Sequence, residues 1–528
     1  MAEPNPSNVA PWYLRNINQA LALDETTGNV YVRTGFAGNI IISGNVNIPG
    51  NVDAHISEIG TSGNLTVPWM PVSIDGNSNV TISGGNVNAA VTGTVTATLS
   101  GNLAGITGNV TVVDGGGSIT VDGNVGITGT ANVAITGTNL DAFGRLRVSN
   151  PVTLFDSQNR YIDGQQFSTT LSGSGTRTYV QNESSFNLTV GTGATDAVYT
   201  QSKTVQAYQP GKSLLTMNTF AMAAAASMVQ RVGYFTTNDG VYFEQNAAGD
   251  LYLVIRSSTS GAPVEERILQ ANWNTDTLAG TGGSANPSGI ELDPTLVQIF
   301  WCDIEWLGVG NLRAGFVING QFIVCHVFEH ANMPGNTKVY MSTASLNPRY
   351  EIYKTGAGGG GTMKQICSTV ISEGGYNPAT TINYVTNGTS TTRVSSANTL
   401  TSLCSIRLNP AYPDAVVIPA QVDLLLIDVR YGQFQLIENA TIANASFANV
   451  SGSVVQSSIH TDTITDGNVV YQGLTSSRDA VVLSDDIKKR LQLWRYANGT
   501  PSTLTLAVSY TGTNTDLLYK LGWEELTN

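Results

Sequence analysis

Gly-Asn followed by an aliphatic residue recurs along the chain between Gly28 and Thr138, and this repeat restricts what the segment can become more than any other feature. It stands at Gly28-Asn29-Val30, Gly38-Asn39-Ile40, Gly44-Asn45-Val46, Gly50-Asn51-Val52, Gly63-Asn64-Leu65, Gly85-Asn86-Val87, Gly101-Asn102-Leu103, Gly108-Asn109-Val110 and Gly123-Asn124-Val125. The most regular stretch, Ile42 to Val52, steps by six residues, alternating aliphatic with polar positions while Gly-Asn supplies the positive φ of a tight turn. Gly, Asn and β-branched residues at this density all oppose helix. The segment therefore reads as short strands alternating with corners. Each strand holds too few apolar side chains for a core of its own, so stacking must supply one. A single-chain β-helix asks for a steady period, whereas the spacings here vary. Three identical chains around one axis tolerate that irregularity, because neighbours complete each layer. The expected form is an intertwined trimeric stem, with the single-chain β-helix as its alternative.

No Lys or Arg occurs between Arg33 and Arg145, which leaves His55 as the one basic candidate there. Such a stem can pack closely on copies of itself. Pro68-Trp69-Met70-Pro71 interrupts the repeat and reads as a bend or contact knob. Across all 528 residues charged side chains make up 12% and hydrophobic ones 41%, against about 25% charged in an ordinary soluble domain. The surface must be covered by Ser, Thr, Asn and backbone amides, and the recurring aliphatic and aromatic residues argue for a folded chain. The net charge, 25 − 38 = −13, argues against gripping phosphate backbones, which takes an excess of Lys and Arg. No run of 18 apolar residues spans a bilayer, and Met1 to Ala10 lacks the features of a secretory signal. A soluble protein made in a cytoplasm is expected. Cys302, Cys325, Cys367 and Cys404 form no CxxC pair and read as free thiols.

At ~100 to 200 residues per domain the length suggests roughly three or four units. Residues 1–28, with Trp12, Tyr13, Leu14 and Ile17, read as an anchoring arm, 29–140 as the stem and 141–160 as a connector. Residues 161–355 read as a β-sandwich of jelly-roll type, 356–444 as a second β unit and 445–528 as a small C-terminal β domain. Hairpins are signalled by Asn238-Asp239-Gly240 between Gly233-Tyr234-Phe235 and Val241-Tyr242-Phe243, and by Asn319-Gly320 between Phe316-Val317-Ile318 and Gln321-Phe322-Ile323. Further strands are expected over Leu251 to Arg256, Val297 to Trp306, Val339 to Ser342, Val422 to Tyr431 and Leu504 to Tyr510. One short helix is expected over Asp485 to Trp494, capped by Ser484. Gly356 to Gly361 reads as a mobile loop. The fold class is all-β.

Several motifs invite a chemical reading. His326-Val327-Phe328-Glu329-His330 fits the HxxEH pattern of zinc peptidases, which needs both imidazoles on one helical turn. Gln321 to Val327 instead reads as the return strand of a hairpin, which would part the two histidines by about 13 Å. Gly211-Lys212-Ser213 resembles the end of a phosphate-binding loop, but Gln206 stands where glycine is needed, so it reads as a turn. Asp303 and Glu305, two apart on an expected strand, would lie ~7 Å apart on one face. That spacing suits glycosidase or calcium chemistry as well as a solvated strand face. Trp301, Trp306 and Tyr431 are candidate sugar-stacking rings or core residues.

Asp141-Ala142-Phe143-Gly144-Arg145-Leu146-Arg147-Val148-Ser149, Leu154-Phe155-Asp156-Ser157, Trp306-Leu307-Gly308-Val309-Gly310 and Ile371-Ser372-Glu373-Gly374-Gly375-Tyr376 resemble segments of virion structural proteins from large tailed phages of aquatic bacteria. The resemblance spans roughly Asp141 to Leu436. It implies a tail, baseplate, collar or capsid fibre component located in the virion and assembled in the host cytoplasm. It brings no catalytic, cofactor-binding or metal-binding residue, so none is assigned and the chain is expected not to be an enzyme. The expected partners are two further copies in a homotrimer, other virion proteins and a host-surface glycan, with no nucleic acid and no membrane insertion. The competing readings are a polysaccharide-cleaving tailspike and a lectin-like receptor-binding protein.

Overall fold

A computed structural model describes residues 21–23, 30–32, 46–47, 65–66, 149–161, 163, 165–224, 227–394, 398–427, 431–476, 479–483, 491–512 and 514–526. The chain divides into two compact units, Met1–Gly129 and Thr130–Asn528. In the first, β1 (Leu21–Leu23) and β2 (Val30–Val32) pair antiparallel, whereas β3 (Val46–Asn47) and β4 (Leu65–Thr66) pair in parallel with Val46 opposite Leu65. Strands β2, β3 and β4 each begin at the aliphatic residue that follows a Gly-Asn step, so the repeat does mark strand starts. Trp12, Tyr13 and most of the expected stem lie outside the described residues.

The second unit holds two antiparallel β-sandwiches. The first is built from β5 (Val152–Ser157), β6 (Phe167–Ser172), β7 (Thr176–Val180), β8 (Ser185–Val190), β9 (Ala197–Ser202), β10 (Leu214–Ala221), β11 (Met228–Phe235), β12 (Gly240–Gln245), β13 (Leu251–Ser257), β14 (Val264–Leu269), β15 (Gln298–Ile304), β16 (Leu312–Ile318), β17 (Gln321–Phe328), β18 (Pro348–Lys354) and β19 (Gly361–Ser372). Its eight-stranded sheet runs β17-β16-β15-β10-β19-β8-β7, with β5 also on β19, and its seven-stranded sheet runs β14-β13-β12-β11-β18-β9-β6. The second sandwich is built from β20 (Thr380–Thr386), β21 (Thr392–Val394), β22 (Thr401–Leu408), β23 (Val417–Leu426), β24 (Tyr431–Glu438), β25 (Ala448–Asn449), β26 (Val455–Ile459), β27 (Asn468–Ser476), β28 (Asp479–Val482), β29 (Thr503–Tyr510) and β30 (Thr515–Leu526). Its sheets run β20-β30-β23-β28, with β21 also on β30, and β25-β26-β22-β29-β24-β27. Among the described residues there is no α-helix, and no helix long and apolar enough to cross a membrane.

Both signalled hairpins form. Asn319 and Gly320 take φ of 53° and 78°, the two positive values of a tight hairpin turn, and close β16 onto β17. Residues 236–239 join β11 to β12, with Phe235 opposite Gly240. The Asp239 carboxylate then accepts from backbone and hydroxyl of both Ser258 and Ser342, at 2.6 to 3.0 Å, tying the turn to its neighbours.

Other expectations are corrected. Strand β19 lies beyond the step expected at 355/356 yet occupies the middle of the first sandwich, because Gly356 to Gly361 joins strands of its two facing sheets. Strands on either side of the step expected at 444/445 share one six-stranded sheet. The sandwiches therefore part between Ser372 and Thr380. Val339 to Ser342 forms no strand, since its amides bond to loops: Tyr340 to the Gly308 carbonyl and Ser342 to Asp239. The strand that contains Val422 ends at Leu426, and Tyr431 opens the next. Leu491 to Trp494 is not helical, and the Leu493 amide donates to the Val417 carbonyl at 2.9 Å. Residues 484–490 of the expected helix lie outside the described residues.

Alternation puts Phe220, Phe243, Phe300 and Phe316 into the first core, all at 0% exposure. Phe243 centres them, with ring centroids 5.9, 6.0 and 5.1 Å from Phe220, Phe300 and Phe316. Phe243→Ala is expected to destabilise this sandwich by about 3–5 kcal/mol, read as a lowered midpoint in urea unfolding followed by near-UV circular dichroism.

Candidate ligand-contact face

The residues singled out by motif do not converge. His326 sits on β17, its Nδ1 accepting from the Asn274 amide at 3.1 Å and its ring edge-on to Phe328. His330 lies beyond the strand end, stacked at 3.8 Å and 7° on Tyr340, with its Nδ1 donating to the Gly310 carbonyl at 3.0 Å. Burial lowers both, His326 to about 4. Among the described residues no group of His, Cys, Asp and Glu is placed to hold a metal ion. Lys212 donates to Gln209 at 2.9 Å within a turn, and Ser213 donates to Glu373, 160 residues away, at 2.7 Å. Asp303 is ion-paired with Arg313, while β15 ends at Ile304, so Glu305 falls in the following turn rather than on a shared strand face. Trp301 is 3% exposed and packs edge-on to Phe322. Trp306 donates to the Met341 carbonyl at 3.2 Å, and Tyr431 is exposed.

One grouping escaped the sequence. Buried His460 bridges two serines, Nδ1 to the Ser402 hydroxyl at 2.8 Å and Nε2 to that of Ser405 at 2.9 Å. Ser405 also meets Thr505 at 2.7 Å. Both serines are at most 1% exposed, so no substrate reaches them. The Asp462 carboxylate bonds Asn444 rather than the imidazole, so the orienting acid of a triad is missing. Gaps of 55 and 58 residues left no local signal for this contact.

The residues that do converge lie on the outer face of the seven-stranded sheet. Registers place Tyr252, Glu244, Arg231, Glu351 and Tyr199 in one row across β13, β12, β11, β18 and β9. Alternation sends the neighbouring residues, Phe243 and Tyr350 among them, to the core. Along the row the charges interlock. Arg231 meets Glu244 at 2.7 Å, Glu351 at 3.4 Å and Glu265 at 3.5 Å. Arg256 meets Glu265 at 2.8 Å, Arg349 meets Glu351 at 2.6 Å, and Arg267 bridges Glu244 and Glu265. Burial alone would raise the Glu265 carboxyl, but hydrogen bonds from Tyr242 and Arg256 and the charge of Arg231 outweigh it and hold the group at about 2. Glu351 is likewise driven up by burial and down, further, by Arg349, Arg231 and Arg256.

Guanidinium groups also lie over rings: Arg231 on Tyr353 at 5.4 Å, Arg349 on Tyr199 at 6.0 Å and Arg267 on Tyr252 at 4.5 Å. Tyr199 and Tyr353 are neighbours, their centroids 6.0 Å apart. At the Tyr199 end the second sandwich closes on the first. Arg349 donates twice to the Ala497 carbonyl at 3.2 Å, Gln201 donates to the Arg495 carbonyl at 3.3 Å, and Gln492 donates to the Val205 carbonyl at 3.2 Å. Lys203 pairs with Glu438 at 3.6 Å and lies 4.7 Å over Trp494.

Two outcomes follow from this geometry. Arg349→Ala removes both the Glu351 pair and the Ala497 clamp, so limited proteolysis should cut between Ser372 and Thr380 faster than in wild type while each sandwich stays folded. His326, His330 and His460 are neutral when folded and bind protons more readily when unfolded, so stability falls as pH drops below about 6.5, for His326 down to about 4. His326→Gln should flatten that part of a Tm-against-pH curve, and an unchanged slope would contradict the assignment.

No family model matches the chain, and no curated protein matches it in sequence. Among solved structures, a protein of unknown function from Shewanella oneidensis MR-1 aligns at 9% identity and TM-score 0.28, over 44% of this chain and 90% of its own. The CBM2 module of the evolved Dit of Lactobacillus casei BL23 phage J-1 aligns at 6% identity and TM-score 0.28, over 44% of this chain and 100% of the module. A prokaryotic β-1,3-1,4-glucanase (lichenase) derived from a mouse hindgut metagenome aligns at 9% identity and TM-score 0.27, over 42% of this chain and 98% of its own. Likeness at this level says nothing of what this chain binds or catalyses.

Proposed function

We propose that the chain is a structural component of a tailed-phage virion, a fibre or adaptor that joins the particle to neighbouring virion proteins or to the host surface. Its Gly-Asn repeat forms a homotrimeric stem, and its two sandwiches are the contact modules. The observation that carries this reading is the clamp of Arg349 and Gln201 on residues 495–497, which fastens the sandwiches into one stiff body. A part that transmits load gains from such a joint.

The chemistry of the carboxylates favours a mechanical and adhesive role over glycan cleavage. Glycoside hydrolysis needs one carboxyl group held protonated near neutral pH beside a second that is ionised. Glu265 and Glu351 are instead pulled below the usual carboxylate range by guanidinium groups, and Asp303 is paired with Arg313. Equilibrium sedimentation of the purified full chain should give a trimer, and a clean monomer overturns the fibre reading. Incubation with host surface polysaccharide should release no oligosaccharide. Release that persists in purified protein and disappears in Asp303→Asn would favour a tailspike.

A further inference from the structure

We infer that the open mouth of the first sandwich, at the ends of β12, β13 and β14, is a binding cleft for the terminal one or two units of a neutral saccharide. The inference deepens the host-contact half of the proposed function and rests on it. A cleft of about 520 Å³ opens to solvent there, a size within the range of small-molecule sites. Gln245 ends β12, Leu251 stands opposite it at the start of β13, and Gln270 follows the last residue of β14. Alternation turns Leu251 to the core, and Gln245 to the same side as Phe243, so the cleft is the gap between the sheets where the core runs out. Leu292 and Pro294, both buried, line it from the segment that leads into β15.

The polar side chains of the cleft are each half used. Gln245 is 5% exposed, and its Oε1 accepts from Gln230 Nε2 at 2.7 Å. Gln230 is fully buried and held by both backbone groups of Ala223. Turning the Gln245 amide over would set one NH₂ group against another, so its Nε2 stays at the cleft wall, with no hydrogen-bond partner among the described residues. A donor so far from bulk water costs free energy until something accepts from it. Gln270 gives its Nε2 to the Leu278 carbonyl at 3.1 Å, which leaves Oε1. Asp250 accepts from Asn246 on Oδ2 at 3.0 Å, which leaves Oδ1. One donor and two acceptors therefore stand around an apolar floor of Leu251, Leu292 and Pro294.

That set selects the ligand class. Hydroxyls accept at Gln245 and donate at Gln270 and Asp250, while the C–H face of a sugar ring covers Leu251. A cation only donates and leaves Gln245 unanswered. An anion is repelled by Asp250, and neither Lys nor Arg lines the cleft to receive it. From Gln245 to Gln270 the row crosses two strand intervals, ~10 Å at the usual strand spacing. That width suits one ring with its hydroxyls, and the volume leaves room for a second. Access is direct, since Asp250 and Ala271 at the rim are exposed.

The test is titration of the full chain, read by saturation-transfer difference NMR, with glucose, galactose, mannose, N-acetylglucosamine, maltose, cellobiose and lactose. Glucuronic acid, lysine amide and N-acetylglycinamide serve as the anionic, cationic and peptide comparisons. At least one neutral sugar should bind and the three comparisons should not. Gln245→Leu should weaken binding by about tenfold. Ala271→Trp, which fills the rim and leaves both amides in place, should abolish it, and Tyr431→Ala, an exposed ring on the other sandwich, should change nothing. Thermal melts confirm that the variants fold. The inference is overturned if no neutral sugar binds, if a comparison compound binds as well as the sugars, if folded Ala271→Trp binds like wild type, or if Tyr431→Ala loses binding. Sedimentation reads the fibre proposal separately: a trimer that ignores every sugar sinks only the cleft, and a monomer that binds sinks only the stem.

Discussion

The seven-stranded sheet is buried on both sides, and the rest of the described structure adjusts to that. All six residues of β12, Gly240–Gln245, are buried. Period-two alternation sends Val241 and Phe243 into the core and turns Tyr242 and Glu244 to the opposite face, where they are equally hidden. A carboxylate with 1% exposure needs a cation at hydrogen-bond distance, which is why Arg231 stands opposite Glu244 and Glu351 opposite Arg231. Tyr242 and Phe235 fill the space beneath the guanidinium groups, at 4.6 Å between ring centroids. Glycine is required at position 233, because a Cβ there would stand 2.4 Å from the Val241 carbonyl oxygen and 2.7 Å from the Tyr242 Cα.

That double burial also explains how the two sandwiches hold together. Once Arg349 is 2% exposed, its remaining donors must find acceptors, and the Gln201 side chain and the Ala497 carbonyl provide them. The segment that carries Ala497 is in turn braced within its own sandwich, where Arg495 donates to the carbonyls of Asn409, Tyr412 and Gly499. The clamp therefore runs from the charged row of one sheet into the loops of the next without a covalent link. The four cysteines take no part in it, since all are free and Cys302, Cys325 and Cys404 are buried.

What the sequence made legible was local. Asn319-Gly320 and Asn238-Asp239-Gly240 announced their turns because positive φ and side-chain-to-backbone bonds are properties of a few adjacent residues. The all-β class was equally open to reading, from glycine, asparagine and β-branched density. The partition into sandwiches was not, because Gly356 to Gly361 has the composition of a linker yet connects two sheets of one core. Val339 to Ser342 had the composition of a strand, but its amides were already committed to Gly308 and Asp239. The charged row was hidden for a related reason. Tyr252, Glu244, Arg231, Glu351 and Tyr199 come from five strands over more than 150 residues of sequence, and only the registers of four ladders bring them into line.

Glu265 and Glu351 do not form a pair suited to carboxyl acid–base chemistry. Catalysis by carboxyl groups needs two environments that push their affinities for protons apart, one carboxyl protonated and one ionised. Here the guanidinium layer pushes Glu265 and Glu351 in the same direction. Four guanidinium groups, Arg231, Arg256, Arg267 and Arg349, are held there by three carboxylates, Glu244, Glu265 and Glu351.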